Sequence, residues 1–344
     1  MSKEKWVERS NEITIPNQMF IDGEFVSAVS GATFDAISPI DQRVLANVAA
    51  GDSHDVDKAV TAAKRTFENG VWRDLNPRDK KAIMLKWADL IREHYEEIAL
   101  LETLEVGKPI GDTSGYDALA VARVIQWYGE AIDKRYDEIA PAPTNSLAMI
   151  TREPLGVIGA IVPWNYPIVI ASWKIGPALA MGNSMVLKPS EESSLAILKI
   201  AQLGIEAGIP KGVFNVVTGL GDQAGQALAR HMDVAKIAFT GSGPVGKKML
   251  QYAAESNLKQ VALELGGKSP QVVLDDVVDL DKAASTIAWG IYYNAGQTCN
   301  AGSRLIVHES IKAVLTAKLA EFVGNFKVGD PLDPTTQMGQ VVSL

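Results

Sequence analysis

Among 344 residues there is one cysteine, Cys299, and there are only four histidines, His54, His94, His231 and His308. A single thiol cannot close an internal disulfide, which suits a reducing compartment, and these five residues show no metal-ligand spacing, so no metal is expected. The shortage of histidine also argues against a cysteine hydrolase, which needs an imidazole within reach of its thiol. His54 and His94 fall in surface-like helical patterns, His231 precedes a strand and His308 ends one. No long basic run occurs and the formal net charge is -8, so neither nucleic acid nor an anionic membrane is the expected partner. The opening MSKEKWVERSNE lacks the apolar core of a signal peptide. The most apolar region, Leu155 to Leu187, is interrupted by Pro163, Asn165, Pro167, Lys174 and Pro177, and reads as buried core rather than a bilayer span. Repeats and low-complexity tracts are absent as well. These absences leave a cytoplasmic protein acting on small molecules as the expectation.

An apolar fraction of 47% over this length is ample for two domains or one large α/β unit. In FIDGEF, Asp22-Gly23 between alternating apolar residues predicts a tight hairpin. Ser53 reads as the cap of a helix over DVDKAVTAAKRTF, and Asn76-Pro77 opens a long helical pattern that Gly107 and Pro109 stop. Beyond Arg152 the rhythm changes. GVIGAIV, SMVLK, VFNVV, AKIAF and QVALEL read as buried parallel strands with helices such as SLAILKIAQLGIEAG and KKMLQYAAES between them. That alternation predicts an α/β fold built on a doubly wound parallel sheet, with ligands at the carboxyl ends of its strands. Residues 1–265 form this first domain, preceded by a helical region and carrying a projecting hairpin near 138–154. Residues 266–344 begin a second α/β unit, with a helix from about Asp279 to Asn294 and the cysteine segment after it.

Three stretches could carry chemistry. GSGPVG, Gly241 to Gly246, follows a strand and opens a helix, as a dinucleotide-binding fingerprint requires; the rival reading is that its glycines only permit close strand-to-helix packing. Glu264, at the end of the next strand, stands about where an ordinary Rossmann unit keeps its ribose-binding carboxylate. In KPSEES, Lys188 and Glu191 at a strand's carboxyl end could hold a ribose between a donor and an acceptor, or the segment could be a helix N-terminus capped by Ser190. Cys299 lies among Gly296, Gln297, Thr298 and Asn300, a polar setting that suits a nucleophile more than a packed core thiol, although a small inert residue is the alternative.

Taken together and in order, PWNYP (163–167), KPSEES, FTGSGPVG, LELGGKSP and NAGQTCNAGSR resemble the NAD(P)-dependent aldehyde dehydrogenase superfamily, and the similarity runs from the FIDGEF hairpin to the last residue. Within it, ETLEVGKPIGD and VARVIQWYGEAIDK are most similar to bacterial dehydrogenases of aminoaldehydes, including γ-glutamylaminobutyraldehyde. The resemblance implies that Cys299 attacks the aldehyde carbon and that Asn165 and the Cys299 amide hold the resulting oxyanion. It gives Glu264 the task of activating water against the thioester, and passes the ribose to Lys188 and Glu191, a pairing that favours NAD over NADP. Ser242, the amides near Gly241, Gly225 and Trp164 complete the implied cofactor set. Tyr166 and Trp173 match positions that line the aldehyde tunnel, with core packing as the rival explanation. Asp117 matches a helix on which related enzymes carry acids that would attract a distal ammonium, with a solvated surface residue as the rival. Lys174 matches a position close to the thiol. Retention of Glu264 implies hydrolysis rather than discharge to coenzyme A.

The resemblance further implies a homo-oligomer, a dimer or tetramer. It also implies that the chain stops where family members continue, so that a glutamate gripping the nicotinamide ribose, a phenylalanine beside the ring and a terminal strand are missing. On that expectation the alternative to an active dehydrogenase is a fragment that binds the nucleotide without turnover.

Overall fold

Asp22 and Gly23 both adopt left-handed φ, 55° and 79°, and join antiparallel strands Met19–Ile21 and Glu24–Val26, as FIDGEF predicts. In the computed structural model, which describes residues 1–343, this hairpin forms one edge of a seven-stranded sheet. Next to it, in spatial order, lie Phe214–Val216, Ser184–Lys188, Val157–Ile161, Val234–Gly241 and Gln260–Leu265, the five strands expected from the β-branched runs. Those five pair in parallel, with Ile161 opposite Lys188 on one side and Phe239 on the other. The first of them in the chain, Val157–Ile161, is central, and successive strands are added to its two sides. The winding direction therefore reverses between Val157–Ile161 and Val234–Gly241, the crevice where open α/β sheets gather ligands.

Burial is less uniform than the apolar runs suggest. Val157–Ile161, Ser184–Lys188 and Phe214–Val216 are buried throughout, whereas Gln260, Ala262 and Glu264 of the outer strand are exposed. An edge strand here has one face that nothing covers, so its side chains alternate in exposure with the pleat.

Helix boundaries correct two expectations. Asp52, not Ser53, caps Ser53–Glu68: its carboxylate accepts from His54 N at 2.8 Å, while Asp55 accepts from Asp52 N at 3.2 Å. A carboxylate at the N-cap also complements the helix dipole, which a hydroxyl does less well. The long pattern after Asn76 is two helices, Pro77–Glu93 and Tyr95–Val106, broken at His94 and ended by Gly107 with φ 72°. The second of these is buried from Ile98 to Val106 on every side, and that stretch includes Glu102 and Glu105. Glu105 accepts from Leu195 N at 2.8 and 2.9 Å and from Ala196 N at 3.2 Å, so a distant carboxyl, not Ser190, receives the first amides of Leu195–Ala207.

After Leu265 the chain builds a second, smaller layer. Pro270–Val273 pairs in parallel with Arg304–Val307, and helices Leu280–Tyr292 and Glu309–Gly324 bury Ala284, Ile287 and Leu315 against it. Strands Glu138–Ala140 and Ala148–Ile150 form the expected antiparallel hairpin, with Ile139 and Met149 exposed. Among the described residues no helix is long and apolar enough to cross a membrane.

Candidate active site

The two segments at the reversal point, PWNYP after Ile161 and GSGPVG at the end of the neighbouring strand, place Asn165 and Ser242 at the same edge of the sheet. The cysteine segment is brought there by an unusual turn. Asn294, Ala295 and Gly296 take φ of 50°, 54° and 76° in succession, a left-handed run that two non-glycine residues adopt only under constraint. The constraint is visible as hydrogen bonds to PWNYP. Asn294 Nδ2 donates to Asn165 O at 2.9 Å, Asn165 Nδ2 donates to Gln297 O at 2.8 Å, and the Tyr166 hydroxyl pairs with Thr298 Oγ1 at 2.9 Å. Cys299, the next residue, is exposed.

Cys299, Glu264, Lys174 and Trp173 line one cavity of about 640 Å³, floored by apolar groups such as Ile158 and Ala238. Glu264 arrives on the outer strand opposite Thr240, and the loop after it passes close to the backbone of Cys299: a Cβ on Gly267 would lie 3.4 Å from the Cys299 carbonyl oxygen. Burial pulls the Lys174 ammonium down to about 8, partly opposed by the charge of Glu264. Trp173 is 55% exposed and forms part of the cavity rim. Tyr166 is half-buried, and its hydroxyl is committed to Thr298.

On the other side of PWNYP, Lys188 ends its strand with a buried side chain whose Nζ donates to Glu191 Oε2 at 3.0 Å. Burial lowers the Lys188 pKa, and Glu191 opposes that shift. Gly225 lies against this lysine: a Cβ there would stand 4.0 Å from Lys188 Cδ and from Ile161 Cδ1. Ser242 caps Gly243–Ala254, its Oγ accepting from Val245 N at 3.4 Å. The glycines of the fingerprint divide the two readings between them. A Cβ on Gly246 would meet the Leu265 side chain at 2.7 Å, which is close packing, whereas nothing lies within 4 Å of one on Gly243. Trp164 is half-buried in the turn between Ile161 and Asn165.

Asp117 contradicts both of its sequence readings. It is 0% exposed and ion-paired with Lys108, itself 1% exposed, so it neither faces solvent nor offers a free carboxylate to a substrate ammonium. A charge so placed is neutralised by its partner. Sequence reasoning missed Lys108, and missed Asn294, Gln297 and Thr298 as the stitches that hold the thiol. The available signal was the helix before Lys108, whose apolar residues fall on every side of it and so announce a buried environment for the polar groups it carries.

The model of the aldehyde dehydrogenase family matches residues 25–344. The NADP/NAD-dependent aldehyde dehydrogenase PuuC of Escherichia coli strain K12 is 50% identical over 98% of this chain and 68% of its own length. A crystal structure of γ-glutamyl-γ-aminobutyraldehyde dehydrogenase from Burkholderia cenocepacia superposes with a TM-score of 0.98 at 53% identity, covering 100% of this chain and 70% of that one. An indole-3-acetaldehyde dehydrogenase solved with NAD+ gives 0.98 at 50% identity, covering 99% of this chain and 69% of that one. With the ordered motifs, the reversal of the sheet and the stitched cysteine loop all in one place, the chain belongs to the aldehyde dehydrogenase family.

Proposed function

We propose that this chain oxidises an aldehyde to its carboxylic acid with NAD, through a thioester on Cys299. The observation that carries the reading is that the sole thiol of the chain is exposed in a cavity shared with Glu264 while its loop is bonded to PWNYP. The substrate class is an ω-substituted aliphatic aldehyde, an aminoaldehyde first among them, in line with the relatives that act on γ-glutamyl-γ-aminobutyraldehyde and, more broadly, indole-3-acetaldehyde. The reading treats residues 1–265 as the nucleotide-binding part and 266–344 as the part bearing the thiol, and the separate apolar cluster of the latter supports that division. It is a cytoplasmic homo-oligomer whose exposed apolar hairpin, Ile139 and Met149 included, supports pairing between copies.

The residues present fit NAD. Lys188 and Glu191 offer a donor and an acceptor for a ribose, and Gly225 leaves the space beside Lys188 open. At the start of Gly243–Ala254 the Gly243 amide and the exposed Ser242 cap are available to a pyrophosphate, Pro244 having no N–H and Val245 N–H being given to Ser242 Oγ. Bound NAD supplies the acceptor for the aldehydic hydride, which takes the adduct on Cys299 to a thioester.

The chain's own groups do the rest. The Cys299 sulfur adds to the aldehyde carbon. The oxygen then carries the charge, which the Cys299 backbone N–H and the second amide proton of Asn165 stabilise; the first is already given to Gln297 O. Glu264 takes a proton from the water that attacks the thioester, and the Lys174 ammonium faces it in the same cavity.

The test is NADH formation with a panel of aminoaldehydes and simple aliphatic aldehydes. A folded chain that binds NAD and turns over none of them leaves nucleotide binding as its only role. Glu264→Gln is expected to stop hydrolysis after acylation, so that intact mass shows the acyl group held on the protein; an unmodified mass after incubation with aldehyde and NAD removes Glu264 from the deacylation step. Asn165→Ala is expected to lower kcat by roughly two to three powers of ten, the usual cost of one oxyanion donor. A loss of less than about threefold in steady-state assays would take the oxyanion role away from this amide.

A further inference from the structure

The buried ion pair of Lys108 and Asp117 has no part in the chemistry above, yet its lysine touches the two tyrosine rings that adjoin the thiol segment. The Lys108 Nζ is 3.8 Å from the ring centroid of Tyr166 and 5.6 Å from that of Tyr293, inside the range of about 6 Å for cation–π attraction. Those two rings stack on one another with centroids 6.4 Å apart. Tyr166 then holds Thr298 at 2.9 Å, and Thr298 immediately precedes Cys299. Tyr293, for its part, leads into the left-handed turn at Asn294. Both ends of the short segment that presents the sulfur thus rest on aromatic rings whose faces meet one ammonium.

The other groups facing that ammonium are Glu102 and Asp112. Glu102 is fully buried, and neither carboxyl oxygen has a hydrogen-bond partner among the described residues. Burial first, and then the charge of Asp117, push its carboxyl well above the usual range. Burial likewise raises Asp112, to about 6. Burial pulls Lys108 down, but Asp117 and Glu102 outweigh it and hold the lysine above its ordinary value. The ammonium is therefore held charged by the acids around it, of which Asp117 is the one in direct contact. A buried ion pair is weak evidence of a gain in stability, because apolar side chains of similar volume often serve as well. Its contribution here is one of position.

We propose that Lys108 is a positioning residue for Cys299: balanced by Asp117, its ammonium holds the Tyr166 and Tyr293 rings in the arrangement that lets Tyr166 fix Thr298 and so aim the sulfur. The role rests on the reading of Cys299 as the nucleophile. A chain with one cysteine allows the thiol to be read directly, independently of turnover. Alkylation of Cys299 by iodoacetamide, followed by intact mass across a pH profile, is compared in the unmodified protein, in Lys108→Met/Asp117→Asn and in Tyr166→Phe, together with kcat and KM for propionaldehyde and NAD. The paired change removes the two contacting charges together, so that neither is left without its partner; Tyr166→Phe keeps the ring and drops only the bond to Thr298. Each is expected to change the alkylation rate by at least about threefold and to lower kcat roughly ten- to a hundredfold with KM nearly unmoved, as a misplacement of about 1 Å does. Combining them is expected to add nothing, because both cut the same chain of contacts. Alkylation of Tyr166→Phe within about a factor of two of the unmodified protein, or effects that multiply in the combined variant, overturns the proposal. A Tyr166→Phe protein that alkylates as the unmodified one does overturns the proposal even where the charge-neutral variant fails to fold. An unmodified chain that forms no NADH defeats the proposed activity but leaves the alkylation comparison intact, so the two failures are distinguishable.

Discussion

A Cys299→Ala protein is expected to form no measurable NADH from any aldehyde while binding NAD as the unmodified chain does. The loss should be at least about 10⁴-fold in kcat, as is usual when a nucleophile is removed from a site that works as a unit. No second group in the cavity can replace the sulfur. Of the residues lining it, only Lys174 is nucleophilic near neutral pH, because burial lowers its ammonium to about 8. Attack by that amine followed by loss of hydride would leave an amide, not a thioester, and water activated by Glu264 discharges an amide far more slowly. A Lys174 route would therefore stop after one turnover and leave an acyl group on the protein. Steady-state NADH assays and intact mass distinguish these outcomes. Sustained turnover above about one part in 10⁴ of the unmodified rate would show that the thiol is not the nucleophile and would remove the basis of the thioester reading.

Much of the sheet could be read directly because its signals are local. Each of the five parallel strands was a short β-branched run between turn residues, and Asp22-Gly23 supplied the two positive φ values that its hairpin requires. Cys299 stood out locally because it lies in a polar segment with glycine on either side, Gly296 and Gly302, which a packed core does not need, whereas the roles of Glu264 and Asn165 were implied only by the resemblance carried by LELGGKSP and PWNYP. Asp117 was misread because its surroundings are not local. The helix it follows and the loop bearing Lys108 close over it only in three dimensions, and a sequence window shows an acid on a helix without showing what covers it. The cap at Leu195 failed in the same way, since Glu105 reaches it from ninety residues earlier. The stitches from Asn294 and Thr298 to PWNYP cross 129 and 132 residues, so nothing in NAGQTCNAGSR by itself could reveal them. Even the outer strand, read as buried, depended on which of its faces a later element would cover.

The largest stability effect expected from a single change lies away from the thiol, at Trp87. This side chain is 0% exposed on Pro77–Glu93 and joins three layers. Its Nε1 donates to Ile200 O at 3.0 Å, and its ring centroid is 5.8 Å from that of Phe214 in the sheet. Leu195–Ala207 approaches so closely that a Cβ on Gly204 would lie 3.3 Å from the indole. Trp87→Ala would open a cavity that neither the helix nor the sheet can fill without moving the strands behind it. The cost is expected to be about 3–5 kcal/mol, a large part of the roughly 5–15 kcal/mol that a folded chain has in total. Ile200 O remains within a helix and can still accept there, so the lost indole bond adds only about 1 kcal/mol or less. Trp127, 61% exposed, is the matched control, and its replacement by Ala should shift stability by no more than about 0.5 kcal/mol. Urea unfolding followed by far-UV circular dichroism reads both as midpoint shifts at unchanged slope. If the two variants lost comparable stability, the indole of Trp87 would not be what binds Pro77–Glu93 to the sheet. The carboxyl-end geometry that sets Lys188 beside Gly225 would then have to be held by Leu195–Ala207 alone.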